Sequence, residues 1–216
     1  MFWAPELADS FVSLAEPAEH EIVIKRSRFI CHLIPVRSPE EAEEAIAAIR
    51  REHYDARHNC PAMIIGERGE YEKASDDGEP QGTAGVPMLE VLRRSGVTNI
   101  LAVVTRYFGG TLLGAGGLVR AYSGSVAEAL REAKLVRNVP AVKLEVRLPY
   151  ADYGKLQNIA RTFDASLEAD FGADVTAEVT IREERSAAFL ARMQEALLGA
   201  LHAEQKGTCL LEEPVG

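Results

Sequence analysis

Apolar positions recur along this chain in two rhythms, period two and helical spacing, and the switches between them divide it into elements. The stretch "EIVIKRSRFICHLIPV" (21–36) reads as one long strand whose apolar parity changes between Ile24 and Phe29, which predicts a bulge or bend at Lys25, Arg26, Ser27 and Arg28. In "SPEEAEEAIAAIRREH" Ser38 stands as N-cap, Pro39 takes the first helical position and Glu41 completes a capping box. Ala42, Ile46, Ile49 and His53 then share one helical face. "CPAMIIGERGEYEKASDDGEP" predicts a hairpin turning around Glu67 to Glu70, followed by an acidic turn at Asp76, Asp77 and Gly78. A helix is expected from near Gly85 to Arg94, stopping at Gly96. The run "NILAVVTRYFGG" is rich in branched residues and predicts a buried strand. The helix after it buries Leu118, Tyr122, Val126, Ala129 and Ala133 and turns Arg120, Arg131 and Lys134 to the other side.

Near Pro140 the pattern starts afresh. "AVKLEVRLPY" alternates, "DYGKLQNIARTF" has helical spacing, "SLEADFG" and "DVTAEVTIRE" alternate again, and a helix at "SAAFLARMQEALLGAL" precedes a closing strand at "GTCLLEEP". The order β-α-β-β-α-β is that of a ferredoxin-like split unit. The expected organisation is therefore α+β in two domains, 1–139 and 140–216, with a short hinge at 138–140. Residues 1–20 read as irregular.

Composition narrows the class. The 216-residue chain is 47% hydrophobic, enough for a real core, and no apolar run approaches the roughly 20 residues that span a bilayer. With no leader-like N-terminus and three widely spaced cysteines, the expectation is a cytoplasmic protein with reduced thiols. The net charge of −9 excludes binding to nucleic acid by bulk charge alone. Its distribution matters more: twelve acidic against five basic residues fill 38–80, whereas seven basic against two acidic fill 93–137.

The basic stretch contains "TRYFGGTLLGAGGLVRAYS", with Gly109, Gly110, Gly114, Gly116 and Gly117 ahead of a helix. It lacks the lysine and hydroxyl of a P-loop, and Val119 stands where a dinucleotide fingerprint needs glycine or alanine. Two readings remain open: backbone N–H groups at a helix N-terminus cradle an anion beside Arg120, or Gly116 and Gly117 let the helix pack against the strand. In "ARHNCPA", His58 and Cys60 fall on one strand face. They are candidates for base and nucleophile or, in the simpler reading, a hydrogen-bonded histidine beside a buried thiol. In "SDDGEPQGTAG", Asp76, Asp77 and Glu79 are candidate acid and base groups, or a solvated turn. Arg26, Arg28, Arg106 and Arg120, with Tyr107 for stacking, would suit a phosphate backbone and an unstacked base. Arg106 ends a buried strand and so requires an anionic partner, for which Asp76 or Asp77 is the candidate. No metal-ligand spacing is recognisable and no cofactor is expected.

The motifs "IKRSRFI", "ARHNCPA", "SDDGEPQGTAGVPML" and "VVTRYFGGTLLGAGGLVRAYS", in this order and spacing, resemble the YigZ/IMPACT family over roughly Glu21 to Arg131. The matching positions are Arg28, Phe29, His58, Cys60, Asp76, Asp77, Glu79, Arg106, Tyr107, Gly109, Gly110, Gly114, Gly116, Gly117, Arg120 and Tyr122. The tail from Ala141 resembles the family's bacterial C-terminal domain, a ferredoxin-like module similar to the C-terminal domain of elongation factor G. The resemblance implies an N-terminal β-α domain similar to domain 2 of a small-subunit ribosomal protein. Eukaryotic relatives regulate translation through protein partners, with a different module attached. Some bacterial members carry a proline-dipeptidase label, for which this chain offers no metal-ligand set.

Two functional readings follow. The first is a non-enzymatic, translation-linked regulator that binds RNA or the ribosome in a shallow basic groove formed by Arg26, Arg28, Arg106, Tyr107, Arg120 and the Gly109 to Gly117 loop, with the acidic C-terminal domain docking a protein partner. The second is a small hydrolase or phosphotransfer enzyme on an anionic metabolite, with His58 or Asp76 as base and Arg106 as clamp.

Overall fold

The structure is a computed structural model that describes residues 10–215. Of residues 1–20, expected to be irregular, 1–9 lie outside the described residues, whereas Phe11–Leu14 is a strand and 18–20 open another that pairing with residues 31–33 holds extended. Residues 11–137 and 138–213 form two compact units. Among the described residues there are two antiparallel sheets and five α-helices.

The N-terminal unit runs β1 (Phe11–Leu14), β2 (Ala18–Ile24), β3 (Ser27–Pro35), α1 (Pro39–Glu52), β4 (His58–Ile65), β5 (Tyr71–Ala74), α2 (Gly85–Ser95), β6 (Ile100–Tyr107) and α3 (Ala115–Glu132). Its sheet has the order β2-β3-β6-β4-β5, all neighbours antiparallel. The central strand β6 is apolar from Ile100 to Val104 because both of its faces are covered there. Leu101 and Val103 pack with Ala42, Ile46 and Ile49 of α1, whereas Ile100, Ala102 and Val104 join Phe29, Cys31, Leu33, Met88, Leu118 and Tyr122 on the side of α2 and α3.

The single bent strand expected over 21–36 is instead a hairpin. Ile24 pairs with Ser27, and between them Lys25 and Arg26 both take left-handed backbone, φ 48° and 67°. Two positive-φ residues match the twist of the flanking strands. The parity change marks this reversal, and a lysine–arginine pair carries none of the glycine or asparagine signal such turns usually have. Ser38 caps α1 as expected, its Oγ accepting the Glu41 N–H at 3.2 Å, while the Glu41 carboxylate accepts the N–H of Arg37 at 2.7 Å. Helix α2 ends at Gly96 in the left-handed conformation.

The C-terminal unit contains most of β7 (Leu135–Leu148), a 3-10 turn, α4 (Tyr153–Thr162), β8 (Ser166–Phe171), β9 (Val175–Arg182), α5 (Glu183–Ala196) and β10 (His202–Pro214), with the strand order β10-β7-β9-β8. Leu156 and Ala160 of α4 and Phe189 and Met193 of α5 bury Val142, Leu144, Val146, Ala177, Val179 and Ile181. Residues 138–140, expected as a hinge, are extended within β7.

Candidate functional site

Register brings the motif residues into one row. Arg106 on β6 lies opposite Phe29 of β3 on one side and His58 of β4 on the other. Its guanidinium carbon sits 5.5 Å from the ring centre of Phe29 and 5.6 Å from that of Phe108, a cation held between two aromatic rings. Nη1 of Arg106 donates to Glu79 Oε1 at 2.6 Å, and the Tyr122 hydroxyl donates to the same oxygen at 2.7 Å. Both charged side chains are buried, 8% and 3% exposed. The expected anionic partner is thus corrected from Asp76 or Asp77 to Glu79.

The two aspartates are occupied elsewhere, and the expected solvated turn is a clasp. The Asp76 carboxylate accepts the N–H groups of Gly82, Ala84 and Gly85 at 2.8, 3.0 and 2.9 Å, which caps the start of α2. Burial opposes ionisation of Asp76, but these donors outweigh it and hold the carboxyl below its ordinary value. Asp77 pairs with Arg50 at 2.6 Å and accepts the Asn59 N–H at 2.7 Å, while its carbonyl accepts from His58 Nδ1 at 2.9 Å. Cys60 is fully buried and its thiol donates to the Asp76 carbonyl at 3.1 Å. Burial, reinforced by nearby carboxylates, pushes that thiol up to about 12. His58 and Cys60 do share a strand face, yet each is bonded to the 76–77 backbone rather than to the other.

In the glycine loop the close approach of two backbones falls at Gly109 rather than at Gly116 and Gly117. A Cβ on Gly109 would stand 2.0 Å from the Arg26 carbonyl carbon, so two backbones do pass closely there, and its N–H donates to Ser27 Oγ at 3.1 Å. Gly110 and Gly114 have φ of 83° and 73°. Gly116 has room beside it, its nearest neighbour being Arg120 Nη1 at 3.7 Å. The N-cap of α3 is Gly114, with no side-chain cap.

Beside this row opens a cavity of about 200 Å³ lined by Arg57, His58, Arg106, Phe108 and Leu112. Phe108 and Leu112 are exposed, and no carboxylate lines it. Of the sequence candidates, His58 and Arg106 reach this cavity; Cys60, Asp76, Asp77 and Glu79 do not. Arg28 forks onto Glu21 at 2.8 and 3.1 Å and lies over the Tyr107 ring at 5.3 Å, and Arg120 is exposed on α3. Sequence reasoning passed over Arg57, Phe108 and Leu112, although Arg57 adjoins His58 and Phe108 adjoins Tyr107 in the quoted motifs. Among the described residues no three His, Cys, Asp or Glu side chains form a metal cluster, and no helix is long and apolar enough to cross a membrane.

These features define a two-unit α+β protein whose N-terminal unit presents cations and aromatic surface next to a glycine-rich loop. Residues 25–130 match the Impact N-terminal domain, and residues 146–200 match a domain of unknown function designated DUF1949. The chain is 43% identical over 207 residues to the IMPACT family member YvyE of Bacillus subtilis, covering 95% of each chain. It is 38% identical to the IMPACT family member YigZ of Escherichia coli, covering 89% of this chain and 96% of that one. The human Protein IMPACT is 32% identical over 105 residues, 45% of this chain. A crystal structure of a hypothetical protein, 36% identical, superposes with a TM-score of 0.60 over 91% of this chain and 97% of the other. The chain belongs to the IMPACT family.

Proposed function

We propose that this protein is a non-enzymatic, translation-linked regulator whose N-terminal unit takes up single-stranded RNA, on the ribosome or free in the cytoplasm. The observation that carries the reading is the cavity lined by Arg57, His58 and Arg106 with Phe108 and Leu112 at its mouth. Arg57 lines it as a cation without a lining carboxylate, Arg106 being neutralised by Glu79, and this favours phosphate, while an exposed phenyl ring offers a stacking platform for an unpaired base. Arg120, with the uncapped start of α3, and Arg26 and Arg28 at the hairpin supply further positive charge on the same unit. The order β10-β7-β9-β8 supports the ferredoxin-like reading of the C-terminal unit, and kinship with Protein IMPACT supports a role in translation rather than in metabolism.

The hydrolase alternative keeps only His58 and Arg106 at the cavity. Asp76 is spent on three N–H groups and Cys60 is a neutral buried thiol, which removes one of its two candidate bases and its nucleophile.

The test is binding of a single-stranded RNA to the full chain across salt concentrations, comparing wild type with Arg57→Ala, Arg120→Ala and Phe108→Ala. Each arginine removed is expected to reduce the slope of log K against log salt by about 0.7. Phe108→Ala is expected to weaken binding by about 1–3 kcal/mol with the slope unchanged. Absence of wild-type binding at low salt, or variants indistinguishable from wild type, would sink the proposal.

A further inference from the structure

The side chains that line the cavity of the N-terminal unit are one-sided in their hydrogen bonding. Arg57 and Arg106 only donate, and Phe108 and Leu112 neither donate nor accept. His58 is the exception, and its tautomer follows from its partner. Its Nδ1 lies 2.9 Å from the backbone carbonyl oxygen of Asp77. A carbonyl oxygen only accepts, so Nδ1 carries the proton and, in the neutral ring, Nε2 carries a lone pair.

The ring is oriented as well as protonated in one way. A Cβ on Gly78 would stand 3.5 Å from both Nδ1 and Cε1, so that edge of the imidazole faces the 77–78 backbone. The edge with Nε2 is the one left to the cavity, and Nε2 has no hydrogen-bond partner among the described residues. Residue 77 is itself held against the start of β4: its carboxylate accepts the Asn59 N–H at 2.7 Å and pairs with Arg50 at 2.6 Å. Turning the ring over would break the bond to a carbonyl that is fixed in place. The cavity therefore presents a free cation at Arg57, an aromatic face at Phe108 and one side-chain acceptor, His58 Nε2.

A phosphate drawn in by Arg57 brings acceptors and no donor. The donor nearest to a phosphate along a nucleic acid is the ribose 2′-hydroxyl, which RNA has and DNA lacks. We propose that His58 is the residue by which this site tells ribose from deoxyribose, Nε2 accepting the hydrogen bond of a 2′-hydroxyl whose neighbouring phosphate lies on Arg57. This role rests on the RNA reading above and adds a selectivity that reading does not contain. Phosphate contacts and stacking on Phe108 serve DNA as well as RNA, since both strands carry the same phosphates and unpaired bases.

The experiment measures binding of one single-stranded sequence to the full chain at pH 8, where free imidazole is neutral. The strand is made as RNA, DNA, 2′-fluoro RNA and 2′-O-methyl RNA, and binding is compared between wild type and His58→Phe. Fluoro and methoxy groups cannot donate a hydrogen bond, and the fluoro strand keeps the sugar pucker of RNA. Wild type is expected to bind RNA about three- to tenfold more tightly than any of the other strands, the worth of one hydrogen bond, with the same salt slope for all. His58→Phe is expected to bind all of them within about twofold of one another. Equal wild-type affinity for RNA and 2′-fluoro RNA, or a preference undiminished in His58→Phe, overturns the role of His58 and leaves the RNA reading standing. Absence of binding to every strand at low salt overturns both. Should His58→Phe fail to fold, His58→Ala takes its place, and wild-type indifference to the 2′-fluoro substitution still overturns the proposal.

Discussion

Arg106 and Glu79, 27 positions apart in the chain, form a buried ion pair at 2.6 Å that ties the acidic loop to the central strand of the N-terminal sheet. Removing one partner strands a charge in the core, whereas removing both does not. Glu79→Ala is expected to destabilise the protein by about 3–5 kcal/mol, and the double variant Glu79→Leu, Arg106→Met to recover most of that loss. Urea unfolding of the two variants checks this; a Glu79→Ala cost below about 1 kcal/mol would show that solvent reaches the pair.

Two glycines of neighbouring sequence should respond with opposite sign. Gly109→Ala drives a Cβ to within 2.0 Å of the Arg26 carbonyl carbon, so the loop and the hairpin must separate. A loss of about 2 kcal/mol or more is expected from such a backbone clash. Gly124 lies within α3 with no atom near its missing Cβ, and Gly124→Ala should stabilise by up to about 1 kcal/mol. Denaturation midpoints of the two variants, falling and rising respectively, test the assignment.

Asp76 makes stability pH-dependent in a stated direction. Its carboxyl is held below the ordinary value in the native state, so the stabilisation it supplies is present in full above the unfolded-state pKa and is lost as pH falls through the lower native one. Asp76→Asn should therefore be less stable than wild type near neutrality, with the gap narrowing as pH drops below about 4. Unfolding curves collected between acid and neutral pH would contradict this if the gap stayed constant.

Cysteine reactivity separates a structural thiol from a nucleophile. Cys31 and Cys60 are fully buried and burial raises both thiols, whereas Cys209 is partly exposed. Mass spectrometry after iodoacetamide treatment of the native protein is expected to find one adduct, on Cys209. Rapid modification of Cys60 would revive the enzyme reading.

Much of this molecule is legible along the chain. The capped helix from Pro39, the left-handed stop at Gly96 and the apolar β6 follow from Ser38, Gly96 and the run at 100–107, since caps, positive φ and local periodicity are properties of a few adjacent residues. The hairpin at Lys25 and Arg26 was not, because its backbone is imposed by strand pairing on residues that do not advertise a turn. Candidate chemistry divides in the same way. His58 and Arg106 stood out as motif residues and do line the cavity, but their companions Arg57, Phe108 and Leu112 come from three separate positions that only the register of β4 with β6 and the path of the glycine loop bring together.

By itself the sequence determined the element types, the amphipathic faces, the uneven charge and the family, all of which are set by residues near one another in the chain. Tertiary structure alone decided which carboxylate neutralises Arg106, that Asp76 caps a helix and that Cys60 lies inert. The reason is physical: pairing and burial depend on distances across the sheet, and those are fixed by packing rather than by order along the chain.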